Sequence, residues 1–439
     1  MKKIDVFDGN ALHNEPVSYV LSVEQKCAFW GDKHNVPLDM DLLSKHIMFL
    51  GGIGTGKTNA FTQIISQIID NMNADEGKND VMIIFDTKGD FYNTFRKKAS
   101  KNGYVVISND ETATGASGID YWNVFNEIPH ETEEDKRRME ENIVEIAKSL
   151  FAEKIQKTNQ PFFPNAARDL FGCILKYFLQ MKPEECNNEN LAEYFHESPT
   201  EELRKMLKAN KMGAKVSYIG DDRSPQTLGV MSELQLLADE ILIGNFKKKG
   251  TLSIRDLVRE KGGKVIFIEY DIGVGAMLSP IYTLLFDLAI KEALRRKEGE
   301  RGNVYFITDE FRLLPNLQHI DNAVNFGRSL GLKFMIGIQN VEQIYESYGE
   351  HRANSIMSGF LTSVAFRVND EPSRKFIKDR HGQNRKKETF LSAIAGRGID
   401  EKIREAFVVE DWDINNLLTG EAIIGLPDKE PFKFKFKKM

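Results

Sequence analysis

Residues 51–58 have the types and spacing needed to hold the phosphates of a nucleotide. The segment Gly51-x-x-x-x-Gly56-Lys57-Thr58 fits the phosphate-binding loop pattern. Glycine leaves backbone amides bare, and the start of a following helix favours an anion. We expect Lys57 to reach the β- and γ-phosphates and the Thr58 hydroxyl to bind Mg²⁺. The predicted nucleotide-binding residues are Gly51, Gly52, Ile53, Gly54, Thr55, Gly56, Lys57, Thr58 and Asn59.

Two acids later in the chain supply the other half of this chemistry. Residues 304–307 are apolar, and Thr308, Asp309 and Glu310 follow at once. This is the pattern of a Walker B strand, in which Asp309 would hold Mg²⁺ through water and Glu310 would polarise the attacking water. Such a run is common by chance, but a phosphate-binding loop in the same chain makes this interpretation strong.

Polar residues also end two further predicted strands. Gln339 follows the strand predicted at residues 333–338, and its amide can hydrogen-bond both a γ-phosphate and a water. The alternative is a polar residue that merely caps a strand. Asp86 and Lys88 follow the strand predicted at residues 81–85, at the edge where ligands bind in open α/β sheets. A solvated turn is an equally supported interpretation of this pair.

These residues need a sheet whose strands end at one edge. Helical spacing of apolar residues in segment 59–72 predicts a helix after the phosphate loop, and residues 131–246 carry long helical patterns. We predict an α/β fold with a mostly parallel central sheet, formed by residues 1–130 and 247–439, and an inserted all-α domain at residues 131–246. The apolar runs that have the length of buried parallel strands include residues 46–50, 81–85, 104–107 and 264–270.

The C-terminal part of the chain carries further strand patterns and two basic segments. Residues 362–368 and 421–426 predict strands. Phenylalanine and lysine alternate over residues 432–438, which predicts an edge strand whose lysines discourage outward pairing. A tail that contacts DNA is the less favoured alternative. The basic residues 384–387 are assigned to a loop between helices.

Composition limits the class of protein. The chain has 439 residues, and its net charge of −6 gives no overall attraction to nucleic acid, so DNA binding would need local basic clusters. Three widely spaced cysteines indicate reduced thiols. We find no apolar stretch of membrane-spanning length and no signal sequence, and we therefore expect a cytoplasmic protein.

The motifs taken together resemble those of the coupling ATPases of conjugation and type IV secretion, the TraG and TraD group. This group lies within the HerA and FtsK class of RecA-like motors. The resemblance rests on the motifs HIMFLGGIGTGKT, IIFDTKGDFY, YWNVF, FFPNAAR, FITDEFRLLPNL, GLKFMIGIQNVEQIYESYG and VVEDWDINNLLTGEAIIGLPDKEPFK.

The resemblance implies a RecA-like P-loop NTPase that uses ATP and Mg²⁺ and assembles as a homo-hexamer around a channel for DNA. It also places Arg328, eighteen residues after Glu310, where these motors carry an arginine finger that reaches the neighbouring subunit's nucleotide. An ordinary surface arginine is the alternative. Coupling proteins of this group usually begin with membrane-spanning helices, and we find none in this sequence. Two alternatives stay open: a separate membrane-anchored secretion partner recruits this chain to the inner face of the membrane, or the chain acts elsewhere, as in mobile-element maintenance or defence.

Three functions follow from these patterns. The leading one is a catalytic motor that moves single- or double-stranded DNA, in which Lys57, Glu310, Arg328 and Gln339 act. The second is a nucleotide-gated docking module that recruits a relaxase or a secreted protein substrate, and related roles in mobile-element maintenance or defence stay open. A metabolic kinase is disfavoured because Asp309 and Glu310 suit water activation better than transfer to a hydroxyl group.

Overall fold

The computed structural model describes residues 3–16, 27–31, 36–110, 120–129, 132–197, 200–210, 212–391 and 399–439. Its strands are β1 (Lys3–Asp8), β2 (Ala28–Trp30), β3 (Val36–Leu38), β4 (Ile47–Leu50), β5 (Val81–Asp86), β6 (Tyr104–Ile107), β7 (Lys264–Glu269), β8 (Val304–Thr308), β9 (Leu332–Ile338), β10 (Thr362–Ala365), β11 (Gln383–Leu391), β12 (Ile399–Phe407), β13 (Glu421–Gly425) and β14 (Phe432–Lys435).

The helices connect and cover these strands. They are α1 (Met40–Ser44), α2 (Lys57–Met72), α3 (Asp90–Ala99), α4 (Glu133–Lys157), α5 (Phe162–Met181), α6 (Asn188–Glu197), α7 (Thr200–Ala209), α8 (Pro225–Ile241), α9 (Ile254–Glu260), α10 (Gly275–Leu294), α11 (Ile320–Phe326), α12 (Val341–Tyr348), α13 (Glu350–Ser358), α14 (Glu371–His381) and α15 (Asp411–Asn415).

One nine-stranded sheet organises the chain, in the order β14-β13-β10-β4-β9-β8-β5-β7-β6. Neighbouring strands from β10 to β6 are parallel, whereas β13 and β14 join antiparallel at one edge. The predicted mostly parallel sheet is thus confirmed. Because parallel strands end at the same edge, the residues that follow β4, β5, β8 and β9 lie side by side.

The sheet is buried on both faces, as its continuous apolar strands require. Successive residues of β4 alternate between two hydrophobic clusters: Ile47 and Phe49 belong to one, and Met48 and Leu50 to the other. Helix α2 places Phe61 in the first of these clusters. The strand that precedes the phosphate loop is therefore held from both sides.

Between Glu133 and Phe246 the described residues form helices and no strand. Helix α4 begins with a capping box in which Thr132 and Asp135 bond reciprocally. Buried residues of these helices, such as Ile146 and Leu237, share one hydrophobic cluster with Val81 of the sheet. The division into domains at residues 130 and 246 stays a prediction.

The assignment of residues 384–387 to a loop was wrong. These residues lie in β11, which pairs antiparallel with β1 and β12 in a separate three-stranded sheet. Acidic side chains compensate the positive charge of these strands. Arg404 of β12 donates to Glu388 over 2.7 Å and to Glu410 over 2.8 Å.

The predicted edge strand in the tail is confirmed. Strand β14 pairs with β13 at the end of the large sheet, and Phe432, Phe434 and Phe436 are buried. Among the described helices, none combines the length and the apolar character that crossing a membrane requires.

Candidate nucleotide-binding site

The phosphate loop occupies residues 51–56, between the end of β4 and the start of α2. Gly54 and Gly56 have φ angles of +71° and +111°, in the region that favours glycine. A Cβ atom on Gly51 would lie 2.6 Å from Cβ of Phe366. The glycines are therefore required by backbone conformation and by close packing, and they leave the loop amides bare.

Two C-terminal segments frame this loop. The N–H of Gly52 donates to the carbonyl of Arg367 over 3.1 Å, and the N–H of Gly420 donates to the carbonyl of Thr55 over 2.9 Å. A Cβ atom on Gly56 would lie 3.1 Å from Cα of Gly420. Sequence reasoning missed Gly420, although its position just before a predicted strand was a signal of a tight turn.

Lys57 forms hydrogen bonds with the backbone of the phosphate loop. Its ammonium group donates to the carbonyls of Gly51 and Gly52, the latter over 3.1 Å. Burial lowers the pKa of Lys57, whereas the carboxylates of Glu310 and Asp309 oppose that shift. Those charges place the lysine in the field of the Walker B acids.

Asp309 follows β8 directly, and its neighbour strand β5 supplies a hydrogen bond. Thr87 donates through Oγ1 to Oδ1 of Asp309 over 3.1 Å. Burial raises the pKa of Asp309 to about 6, and the Thr87 bond opposes this rise. A buried carboxylate with a raised pKa is a group that gains from a nearby cation.

Glu310 is held on both carboxylate oxygens. Gln339, at the end of β9, donates to Oε2, and Arg312 donates through Nε to Oε1 over 2.9 Å. The pairing of β8 with β9 explains the first contact, because it brings the residues after both strands together. Sequence reasoning missed Arg312, because the sequence does not show whether a side chain two residues after Glu310 turns back toward that carboxylate or out into solvent.

Asp86 is buried, which excludes the solvated turn as its environment. Its carboxylate accepts from the N–H of Tyr92 over 2.7 Å and from that of Lys88 over 3.4 Å, so it caps α3. Burial raises the pKa of Asp86. Lys88 is exposed, and a ligand role for the pair stays a prediction.

Three predicted loop residues differ in their surroundings. The side chain of Ile53 is 81% exposed. Thr58 is the second residue of α2, where its hydroxyl can reach a ligand of the loop. Asn59 donates through Nδ2 to the carbonyl of Lys437 over 2.8 Å, and its Oδ1 accepts from the N–H of Met439 over 2.9 Å. Its side chain thus holds the C-terminal segment, while its role toward a nucleotide stays a prediction.

Arg328 is not brought to this site. Arg328 precedes the first residue of β9, whereas Gln339 follows its last residue. The two residues therefore lie at opposite ends of this strand, which spans about 20 Å. The Arg328 side chain is 54% exposed and pairs with Asp41. Lys45, together with Arg328, lowers the pKa of Asp41. Within one subunit Arg328 therefore cannot reach the phosphates at the loop.

The residues that converge at the loop fit Mg²⁺ and a nucleotide. The described part of the chain contains no group of three or more His, Cys, Asp or Glu side chains arranged to hold a metal. Mg²⁺ in nucleotide sites needs only one or two protein oxygens, because phosphates and waters supply the rest. The Asp309 carboxylate and the Thr58 hydroxyl have the chemistry of such ligands, and their role as ligands stays a prediction.

The chain is similar to known coupling proteins. The family model for the type IV secretion-system coupling protein DNA-binding domain matches residues 33–433. The coupling protein TraD of Escherichia coli (strain K12) is 21% identical over 400 residues, which are 90% of this chain and 51% of that protein. The chain thus spans about half the length of this curated relative.

Solved structures share the fold. The unbound monoclinic form of the bacterial conjugative coupling protein TrwBdeltaN70 is 18% identical, with a TM-score of 0.76 over 95% of this chain and 90% of that one. The plasmid coupling protein TrwB in complex with ADP and Mg²⁺ has a TM-score of 0.71 and 18% identity over 92% of this chain and 88% of that one.

VirB4 of Thermoanaerobacter pseudethanolicus has a TM-score of 0.56 and 13% identity over 95% of this chain and 98% of that one. These likenesses confirm the RecA-like P-loop fold. Because the family model covers nearly the whole chain, the protein belongs to the family defined by the type IV secretion-system coupling protein DNA-binding domain.

Proposed function

We propose that this protein is an ATP-hydrolysing motor that moves DNA or a nucleoprotein substrate, as in conjugative transfer. The observation that carries this proposal is the arrangement of the strand ends. Gln339 donates to Glu310 there, and the charges of Glu310 and Asp309 act on Lys57 of the phosphate loop. This set combines a phosphate-binding cation, a metal ligand and a base for water.

The residues divide the reaction between them. The loop amides and Lys57 bind the phosphates, which requires the lysine to leave the carbonyls of Gly51 and Gly52. Glu310 accepts the proton of the attacking water, and the amide of Gln339 fixes the direction of that carboxylate. Thr58 and Asp309 would hold Mg²⁺, which would supply neutralising charge for the phosphates.

Arg328 completes the site from a neighbouring subunit in this proposal. Its distance from the loop of its own subunit and its exposure both support action in trans. The assembly is a homo-hexamer whose channel holds DNA. A separate membrane-anchored partner recruits it to the inner face of the membrane, and a relaxase or a secreted protein is delivered with the DNA.

A nucleotide-gated docking module is the second candidate, and a groove among the helices favours it. The groove has a volume of about 410 Å³ and lies between α4 and α5, with Val144 and Cys173 in its wall and Lys148 beside them. Val144 is 49% exposed, so a protein segment can cover it.

ATP turnover measured with and without DNA separates the two functions. The motor should be stimulated by DNA, and its DNA affinity should fall steeply with salt, because a few basic side chains contact phosphates in an otherwise acidic chain. Slow turnover that ignores DNA and responds to a protein partner would favour the docking module. A verified hexamer that binds neither single- nor double-stranded DNA at low salt would contradict the motor.

A further inference from the structure

A groove of about 650 Å³ opens beside Arg328, at the edge of the sheet opposite the phosphate loop. Phe326 and Met40 lie in its wall together with Arg328 and its partner Asp41. Phe326 is 69% exposed and Met40 is 40% exposed. Two large apolar side chains are therefore exposed to solvent beside Arg328, the residue proposed to act at the nucleotide of the neighbouring subunit.

The phosphate loop presents a matching feature. Ile53 is 81% exposed, although neighbouring Thr55 is buried. The Ile53 side chain is therefore exposed to solvent on a loop whose backbone is held by Arg367 and Gly420. A branched apolar side chain on a tightly held loop is a rigid knob, which loses little side-chain entropy on binding.

We propose that Ile53 of one subunit inserts into the groove formed by Phe326 and Met40 on the next subunit. The partner is a second copy of this chain, and the contact is heterologous, so its repetition generates a ring or a helix. The inference rests on the proposed function, in which Arg328 acts in trans.

Charge and distance support this occupant of the groove. Arg328 faces the same groove as Phe326 and lies two residues away, so their Cα atoms are at most about 7 Å apart. An arginine that reaches phosphates on the loop therefore brings Phe326 close to the same loop. The Arg328 guanidinium is positive, and the carboxylates of Asp309 and Glu310 and the nucleotide phosphates are negative, so the two surfaces have complementary charge. Phe326 and Met40 beside the arginine exclude water from this contact.

Asp41 holds the arginine before assembly. The Arg328–Asp41 pair is half exposed on both sides. Exposed ion pairs contribute little stability, typically about 0–1 kcal/mol, so the guanidinium group is easily released to a neighbour. The apolar contact supplies the affinity, and the arginine supplies chemistry once the two subunits meet.

Disulfide cross-linking tests the contact directly. Ile53→Cys and Phe326→Cys are introduced into a protein whose three native cysteines, Cys27, Cys173 and Cys186, are replaced by serine. The two proteins are purified separately, mixed with Mg²⁺ and a non-hydrolysable ATP analogue, and oxidised mildly. A cross-linked dimer should form in the mixture and in neither protein alone. The double variant should give a ladder that extends to the number of subunits in the ring. Met40→Cys provides a second position in the groove should Phe326→Cys disturb folding.

A matched control places the cysteine at a similarly exposed apolar residue outside the groove. Leu228 is 58% exposed in α8, far along the chain, and Leu228→Cys mixed with Ile53→Cys should give only background cross-linking. Yields from the groove positions that do not exceed this background would overturn the proposed contact.

A kinetic measurement distinguishes this inference from the proposed function. Phe326→Asp should raise the protein concentration that gives half-maximal turnover by about tenfold or more, and Phe326→Leu should change it much less. If the parent protein hydrolyses ATP and depends on Arg328 while both groove tests fail, only the groove contact is wrong. If the parent protein does not hydrolyse ATP, the proposed function itself fails.

Discussion

The amide nitrogen of Gln339 lies 2.5 Å from Oε2 of Glu310, and Arg312 bonds the other oxygen of the same carboxylate. The proposed base thus has a fixed orientation before any water reaches it. Because Gln339 ends the neighbouring strand, a shift of β9 relative to β8 would turn Glu310 directly. In the proposed mechanism, the orientation of this carboxylate decides whether the attacking water is activated.

Glu310→Gln should keep ATP binding and lower turnover by ~10² to 10⁴, because a general base contributes about that much. Lys57→Ala should instead remove most nucleotide binding, since the cation that faces the phosphates is lost. Bound ATP and released phosphate are measured for each variant. Normal turnover of Glu310→Gln would refute its role as the base.

Gln339→Ala should lower kcat by ~10² while KM stays within a few-fold, because it removes the hydrogen bond that orients Glu310 and leaves Lys57 and the loop amides in place to bind the phosphates. Steady-state kinetics test this split between kcat and KM. Gln226→Ala is a suitable control, since Gln226 is an exposed glutamine of α8 and should leave both constants unchanged. Equal effects of the two substitutions would contradict the positioning role.

Asp309→Asn should make the fold more stable while abolishing Mg²⁺-dependent hydrolysis. Burial raises the pKa of Asp309 to about 6, so the folded protein holds a proton that the unfolded chain releases near pH 4. The stability supplied by this group is therefore present at low pH and lost as pH rises through about 6.

Thermal unfolding in the presence of a chelator tests this sign. At about pH 8 Asp309→Asn should melt a few degrees above the parent protein, and the gap should shrink toward about pH 4.5, where the folded carboxyl is already neutral. A variant that melts below the parent protein at the higher pH would show that the carboxylate stabilises the fold.

Arg328→Ala should reduce turnover by ~10³ to 10⁵ with little change in ATP affinity, by analogy with GTPase arginine fingers. Turnover of the parent protein should also rise with protein concentration. Lys57→Ala subunits can still offer Arg328, so a mixture of the two inactive variants should recover activity. An inactive mixture with verified subunit exchange would make Arg328 an ordinary surface arginine.

Much of the fold was predictable, because the strands of the large sheet are buried on both faces and their sequences are therefore continuous apolar runs. The rule that parallel strands end at one edge was sufficient to group Asp309 and Glu310 with Gln339. The hydrogen bond between Gln339 and Glu310 and the position of Asp309 beside them give this grouping a geometry, while the catalytic roles stay predictions.

The three-stranded sheet was not predictable in the same way. Strand β11 carries Arg385, Lys386 and Lys387 in succession, and its pairing depends on acids that come later in the chain, such as Glu410. Charged strands lack the apolar alternation from which a strand is inferred. The framing of the loop by Gly420 was missed for a different reason. A glycine before a strand indicates a tight turn, but it does not tell which distant segment that turn contacts.

The position of β4 in the sheet has a consequence for how the protein is made. Ile47 pairs with Met335 on one side and with Thr362 on the other, and the loop after β4 rests against Gly420. During synthesis the phosphate loop therefore emerges hundreds of residues before the strands that hold it. Such distant pairing slows folding and leaves apolar strands exposed in the meantime. A ribosome-bound chain should thus depend on chaperones and gain affinity for ATP only as its last strands are added.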